Sequence, residues 1–276
     1  MAKFTYASPM EKGWYYLHRL ICAAVLMFLV APIVVVLPLS FNSVAFFTYP
    51  MAGFSLRWYE QFFLTELWQG ALLNSIVVAV SVTLLSTALG TLAAIGLTRL
   101  SARWRILSMN ILVMPLIVPI VITAVAVYFF YAAIGLLNGY AGLILAHTTL
   151  ATPFVVIAVS ATLAGFDESL GRAAAGLGAP PIAVFFMVIL PLILPGMATG
   201  ALFAFLTSFD EVVVALFVAG PEQRTLPMVM YSGIREQYNP TMIAAAAVLV
   251  LFTVVMLTTV ELLRRRSERL RGIRNS

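Results

Sequence analysis

Long apolar runs separated by short polar intervals set the pattern of this chain. Leu20 to Leu39 is apolar throughout and predicts a first membrane span, bent at Pro32. A cleaved leader is the competing reading. The run is long for a leader, though, and no small-x-small site follows it, so a retained span is expected. Residues 42–69 are mixed, with Asn42, Tyr49, Pro50, Trp58 and Trp68, and predict an outside loop carrying a short surface helix near 56–67. A second span covers Ala71 to Leu97, and its small residues (Ser86, Gly90, Ala94 and Gly96 among them) suit close helix packing. The third, Ile106 to Ile134, holds Pro115 and Pro119 and is predicted bent or broken. Asn138-Gly139 marks a tight turn before a fourth span, Tyr140 to Leu163, which carries His147 and Pro153.

From Ile182 to Ala219 the chain is apolar enough that one straight helix would measure roughly 57 Å, against a hydrocarbon core of about 30 Å. It has to break. Pro191, Pro195 and Gly196 are the expected places near its start, and Asp210-Glu211 interrupts it again. A last span runs from Thr241 to Leu263. The expected fold is therefore all-α, with six transmembrane helices and both termini on one face. The chain divides into 1–69 (tail, first span and outside loop), 70–262 (the main transmembrane domain) and 263–276 (a basic tail).

Between the fourth and fifth spans, residues 165–181 are the one long interior connection built for water. Arg172-Ala173-Ala174-Ala175 favours helix, Gly176 and Gly178 end it, and Pro180-Pro181 turn the chain. By residue physics this stretch is either a plain interhelical loop or a knob for a partner. Gly178 is expected to let the backbone reverse where a side chain would clash.

Composition agrees with a membrane protein: 62% of the 276 residues are hydrophobic and 10% are charged. The net charge of +5 does not signal nucleic acid, because its distribution follows membrane orientation. Lys3, Lys12, Arg19, Arg99, Arg103, Arg105, Arg172 and the tail arginines fall on one predicted face, and Arg57, Arg224 and Arg235 on the other. That asymmetry predicts cytoplasmic termini and a cytoplasmic 165–181 loop. The basic tail also suits anionic membrane lipid.

The spacing of Ala173-Ala174, Gly178, Ile189, Leu190-Pro191 and Pro195 resembles the EAA loop of ABC importer permeases. The stretches 147–156 and 208–232 are similar to the spermidine/putrescine branch of that family. One position departs from the motif, with Arg172 where the family has glutamate. The resemblance implies an inner-membrane permease subunit with no cofactor of its own. It would work with two ATP-binding subunits, a second homologous permease and an extracytoplasmic substrate-binding protein. Arg172, Ala173, Ala174, Gly178 and Pro191 would form the coupling loop that docks on the ATPase.

The chemistry present fits that expectation. Both lysines, Lys3 and Lys12, precede the first span, so no G-x4-G-K-[ST] phosphate loop exists and ATP hydrolysis belongs to another subunit. The histidines His18 and His147 stand apart from each other, metal ligation is not expected, and His147 reads as a helix-packing residue. No base partner accompanies the serines or Cys22. Asp210 and Glu211 have two readings: solvated charges at the end of a short fifth span, or a substrate path in which one of them, Asp210 first, meets a passing cation. The alternative function is a self-sufficient secondary carrier or channel for a cationic solute.

Overall fold

The computed structural model describes residues 8–44, 51–165, 167–236 and 240–270. Lys3, Tyr49, Pro50 and the tail from Arg271 lie outside the described residues, as do the side chains of Arg235 and of the tail arginines before it. Among the described residues the chain is helical, with no β-strand. Among those residues five helices are long and apolar enough to cross a membrane, and a bent pair makes six when counted as one span.

Helix α1 (Pro9–Leu39) opens with a capping box. The Glu11 N–H donates to Ser8 Oγ at 3.3 Å and the Ser8 N–H donates to the Glu11 carboxylate at 2.7 Å. The helix continues through Pro32 and Pro38. After it, the chain folds onto itself in a small aromatic cluster. Phe41 stacks on Phe54 at 5.0 Å, and the Trp58 indole N–H donates to the Asn42 carbonyl at 2.7 Å. The expected surface helix is α2 (Arg57–Leu64), shorter than predicted. It buries Trp58 and Phe62 and leaves Phe63 and Leu64 exposed. With the first part of α12 (Thr241–Leu270), where Thr241 Oγ1 donates to Gln61 Oε1 at 2.9 Å, these elements form one compact unit.

The second unit is built on α3 (Glu66–Thr98), α6 (Tyr140–Ala164) and α9 (Leu190–Phe209), which pack pairwise against one another. Lipid tails are as apolar as leucine, so close van der Waals approach holds helices together in a bilayer. Val155 of α6 supplies it, wedged between two glycines. A Cβ at Gly90 of α3 would lie 2.6 Å from Val155 Cβ, and one at Gly200 of α9 would lie 2.8 Å from Val155 Cα. One turn away, Gly196 faces Thr162 Oγ1 and the Ala158 carbonyl, which completes a G-x3-G face on α9. Of the small residues expected to pack α3, Ser86, Gly90 and Ala94 are buried, whereas Gly96 faces open space.

The third span breaks at Pro119 and not at Pro115, which sits inside α4 (Ala102–Ile117). Proline disfavours the helical region for the residue before it, and Val118 is accordingly extended (φ −70, ψ 131). Helix α5 (Ile120–Ile134) then leaves at 99° to α4. The predicted turn is present, with Asn138 left-handed at φ 59 and its N–H donating to the Val218 carbonyl at 3.0 Å.

The apolar stretch after Pro180-Pro181 does not break at Pro191, Pro195 or Gly196, as expected from the sequence. A short helix α8 (Pro181–Val184) passes into a π turn at Phe185–Ile189, where the Leu190 N–H reaches the Phe185 carbonyl, five residues back. Pro191 has no N–H to offer Met187, and the change of register accommodates that loss before α9 continues through Pro195. The break comes only at Asp210.

This packing predicts a contrast between two glycines. Gly200→Ala should destabilise the protein by about 1–3 kcal/mol, because its Cβ meets Val155 backbone. Gly96→Ala should be neutral or stabilising by up to about 1 kcal/mol. Thermal unfolding of the purified protein measures both, and equal melting temperatures would contradict the wedge.

Candidate functional site

Two regions carry the sequence-predicted site residues, one at each end of the α6–α9 pair. The first is helix α7 (Glu168–Gly176), directly after α6. Asp167 caps its start: its carboxylate accepts the Ser169 N–H at 2.9 Å, and hydrogen bonding from Ser169 holds the carboxyl below the usual carboxylate range. The far end is a Schellman turn, with the Ala179 N–H on the Ala174 carbonyl at 3.2 Å and the Gly178 N–H on the Ala175 carbonyl at 3.0 Å. Gly178 occupies its left-handed position at φ 87. A Cβ there would meet nothing within 4 Å. Within this chain the requirement for glycine is therefore backbone conformation.

Arg172 and Ala173 are exposed and Ala174 is half-buried. Leu177, at the helix end, is 90% exposed and Leu170 is 47% exposed. Helix α7 rests on α8 and the π turn, where Gly171 lies against Val184. Pro191 sits just beyond that turn and is exposed on α9. The loop residues thus form one short, capped helix with a free apolar and basic surface. Composition and spacing carry no sign of how far Leu177 stands out.

The second region is the end of α9. The two acids separate. Asp210 ends α9, its N–H donating to the Leu206 carbonyl at 3.0 Å, and its side chain is exposed. Glu211 is 6% exposed and caps the short helix α10 (Val213–Val218). The N–H groups of Val213 and Val214 donate to Oε1 at 2.9 and 3.0 Å, and that of Ala215 to Oε2 at 3.0 Å. Its charge is held by three backbone dipoles at a helix start. His147 of α6 completes the cluster, with Nδ1 3.0 Å from Ser208 Oγ and Nε2 3.5 Å from Glu211 Oε2 without a hydrogen bond between them. His147 is thus the packing residue that its sequence context suggested, with Glu211 as a neighbour that lies 64 positions away in the sequence. The run Glu211 to Val218, an acid just ahead of a short apolar helix, was the available signal for the cap.

Nearby, Tyr131 and Val214 are buried in a common core, and Tyr128 meets Phe217 edge-on at 6.4 Å. The loop after α10 is tied to the start of α3: Asn74 Nδ2 donates to the carbonyls of Glu222 (2.8 Å) and Arg224 (3.0 Å), and the Leu226 N–H donates to Ser75 Oγ at 2.7 Å. Among the described residues no cluster of three or more His, Cys, Asp or Glu side chains forms a metal site.

A bundle of membrane-spanning helices carrying a capped helix between two spans is the architecture of an ABC importer's transmembrane subunit. The fold agrees with solved structures. A bacterial ABC transporter involved in the import of the acidic polysaccharide alginate matches with a TM-score of 0.72 at 15% identity, covering 95% of this chain and 98% of that one. The MetNI methionine ABC transporter, in inward-facing form, matches with a TM-score of 0.60 at 21% identity over 74% of this chain and 99% of that one. The chain belongs to the binding-protein-dependent transport system inner membrane component family, whose model matches residues 86–269. The putrescine transport system permease protein PotI of Escherichia coli (strain K12) is 35% identical over 232 residues, 80% of this chain and 81% of the relative. The spermidine/putrescine transport system permease protein PotC of the same organism is 31% identical over 242 residues, 88% of this chain and 91% of the relative. The PotC protein of Haemophilus influenzae is 29% identical, covering 92% of this chain and 98% of the relative. This chain is a multi-pass inner-membrane permease subunit of the ABC-importer kind and not itself an ATPase. These relatives favour that assignment over a self-sufficient carrier or channel.

The split of the acid pair gives opposite expectations for two conservative changes. Glu211→Gln replaces one acceptor with an amide that faces N–H donors, and should cost about 1–3 kcal/mol of stability. Asp210→Asn leaves every hydrogen bond described here intact and should not change the melting temperature. Thermal unfolding of the two purified variants is the check, and a stable Glu211→Gln protein would contradict the cap.

Proposed function

We propose that this chain is the permease subunit through which an ATP-driven importer moves a polyamine such as putrescine or spermidine, or a related small amine. Its partners are two ATP-binding subunits, a second homologous permease and an extracytoplasmic substrate-binding protein. The termini and α7 face the cytoplasm, in keeping with the arginine asymmetry. Helix α7 docks on an ATP-binding subunit. Its fixed caps and the exposed Leu177 are the single observation that carries this reading. Arg172 replaces the glutamate of the family motif and pairs with an acidic group of the ATPase. Closure of the ATP-binding subunits then moves α7, and the α6–α9 pair rocks with it to open the path outward.

Asp210 is the path residue. Its carboxylate is exposed and makes no hydrogen bond or ion pair among the described residues, so it is available to an ammonium group at the end of α9. Glu211 serves that site indirectly, by fixing the break that turns Asp210 outward. The relatives named for putrescine and spermidine transport support the choice of solute.

Uptake and ATP hydrolysis by the assembled complex in proteoliposomes test both halves. Asp210→Asn should lower putrescine uptake at least several-fold with normal assembly. Gly178→Val imposes about 1–2 kcal/mol of left-handed backbone strain, so it should preserve assembly but weaken the coupling of hydrolysis to uptake. Unchanged uptake in both variants would overturn the proposal. Orientation is checked in a chain whose Cys22 is replaced by serine. A single cysteine at Ser169 should label from the cytoplasmic side and one at Glu222 from outside, and the reverse pattern would overturn the topology.

A further inference from the structure

A cavity of about 400 Å³ opens where α3, α4 and α6 meet near the α3–α4 connection. Its walls are apolar, from Ala94 and Leu97 on α3, Met109 on α4 and Leu163 on α6, but three polar side chains line it as well: Thr98, whose hydroxyl already donates to the Ile95 carbonyl at 2.8 Å, Arg105 and Ser160. Ser160 Oγ is shut off from solvent and has no hydrogen-bond partner. A buried hydroxyl left unpaired is unfavourable, so a group that accepts its hydrogen bond is favoured there. Arg105 forms no ion pair among the described residues, and its guanidinium makes only one long contact, 3.5 Å from the Leu100 carbonyl. A guanidinium has five N–H donors in a fork that matches phosphate. The site therefore offers largely unpaired donors from Arg105 and Ser160 on an apolar floor, with a volume in the range of small-molecule pockets, about 300–1,000 Å³.

The surroundings indicate what brings the acceptor. Beside the cavity the first turns of α4 expose Trp104 (60%), Ile106 and Leu107, an aromatic and aliphatic surface suited to the membrane interface. Arg99 and Arg103 are exposed close by in sequence. An amphiphile with an anionic head satisfies both halves of the site, and a free anion satisfies only the polar half.

We propose that this cavity binds the phosphate headgroup of an anionic phospholipid, with Arg105 and Ser160 donating to the phosphate oxygens and the apolar walls holding the glycerol-ester region. Basic pockets between spans are established places for anionic headgroups. Lipid bound here would bridge α4 to the α3–α6 pair at the end of the bundle where α7 begins.

The test uses the full transporter complex in nanodiscs of phosphatidylcholine with and without phosphatidylglycerol, followed by native mass spectrometry of retained lipid. The unmodified protein should keep phosphatidylglycerol selectively. Arg105→Ala should reduce that retention roughly tenfold, the scale of losing a charge-assisted phosphate contact. Arg105→Lys should restore part of it, and Ser160→Ala, which removes only a hydroxyl, should weaken it less. Arg99→Ala, outside the cavity, should leave it unchanged. Equal loss in Arg99→Ala would mean a diffuse basic surface and would overturn the site. Equal retention in the unmodified protein, Arg105→Ala and Ser160→Ala would overturn it as well. If inorganic phosphate alone displaces the lipid, the cavity is a free-anion site and the phospholipid assignment fails.

Discussion

The wedge of Val155 between Gly90 and Gly200 is the contact on which the rest of this structure depends. It brings α6 within backbone distance of α3 and α9, at a depth where hydrophobic burial gives no advantage over lipid. Both functional regions hang from the pair it joins. At one end α6 runs into α7, which rests on the π turn preceding α9. At the other, His147 of α6 stands against Ser208 and Glu211. Two helices held at glycine contacts thus connect α7 to the acid pair. Packed interfaces of this kind shift between discrete arrangements and do not deform smoothly.

The division of labour between the two acids follows from local geometry. Helix α9 ends at Asp210, and the next helix starts three residues later with N–H groups in need of an acceptor. Glu211 supplies it, is buried in doing so, and leaves Asp210 facing out. Adjacent carboxylates at membrane depth look redundant in sequence. In the fold Glu211 caps α10 and Asp210 stays exposed beside it.

Much of this was legible in the residues because the signals are local. Continuous apolar runs give spans, Asn138-Gly139 gives a turn, and the alanine run followed by Gly178 gives a short helix with its cap. What stayed hidden depends on pairing or on hydrogen-bond register. Proline predicts a break, but Val118 could pair with the demand of Pro119 by turning extended, while Pro191 is absorbed by a π turn that composition does not reveal. The clasp of Asn74 on the 222–224 carbonyls and the contact of His147 with Glu211 join distant positions. The motif position held by Arg172 is legible as a departure, and its exposure leaves the charge available to a partner.

In the proposed mechanism, ATP-derived motion enters this chain at the exposed end of α7. A photo-reactive residue in place of Leu177, in the assembled complex in its native membrane, tests it most directly. The expected result is a cross-link to an ATP-binding subunit whose yield changes when ATP is added. Cross-links confined to lipid or to the second permease, with no ATP dependence, would contradict it.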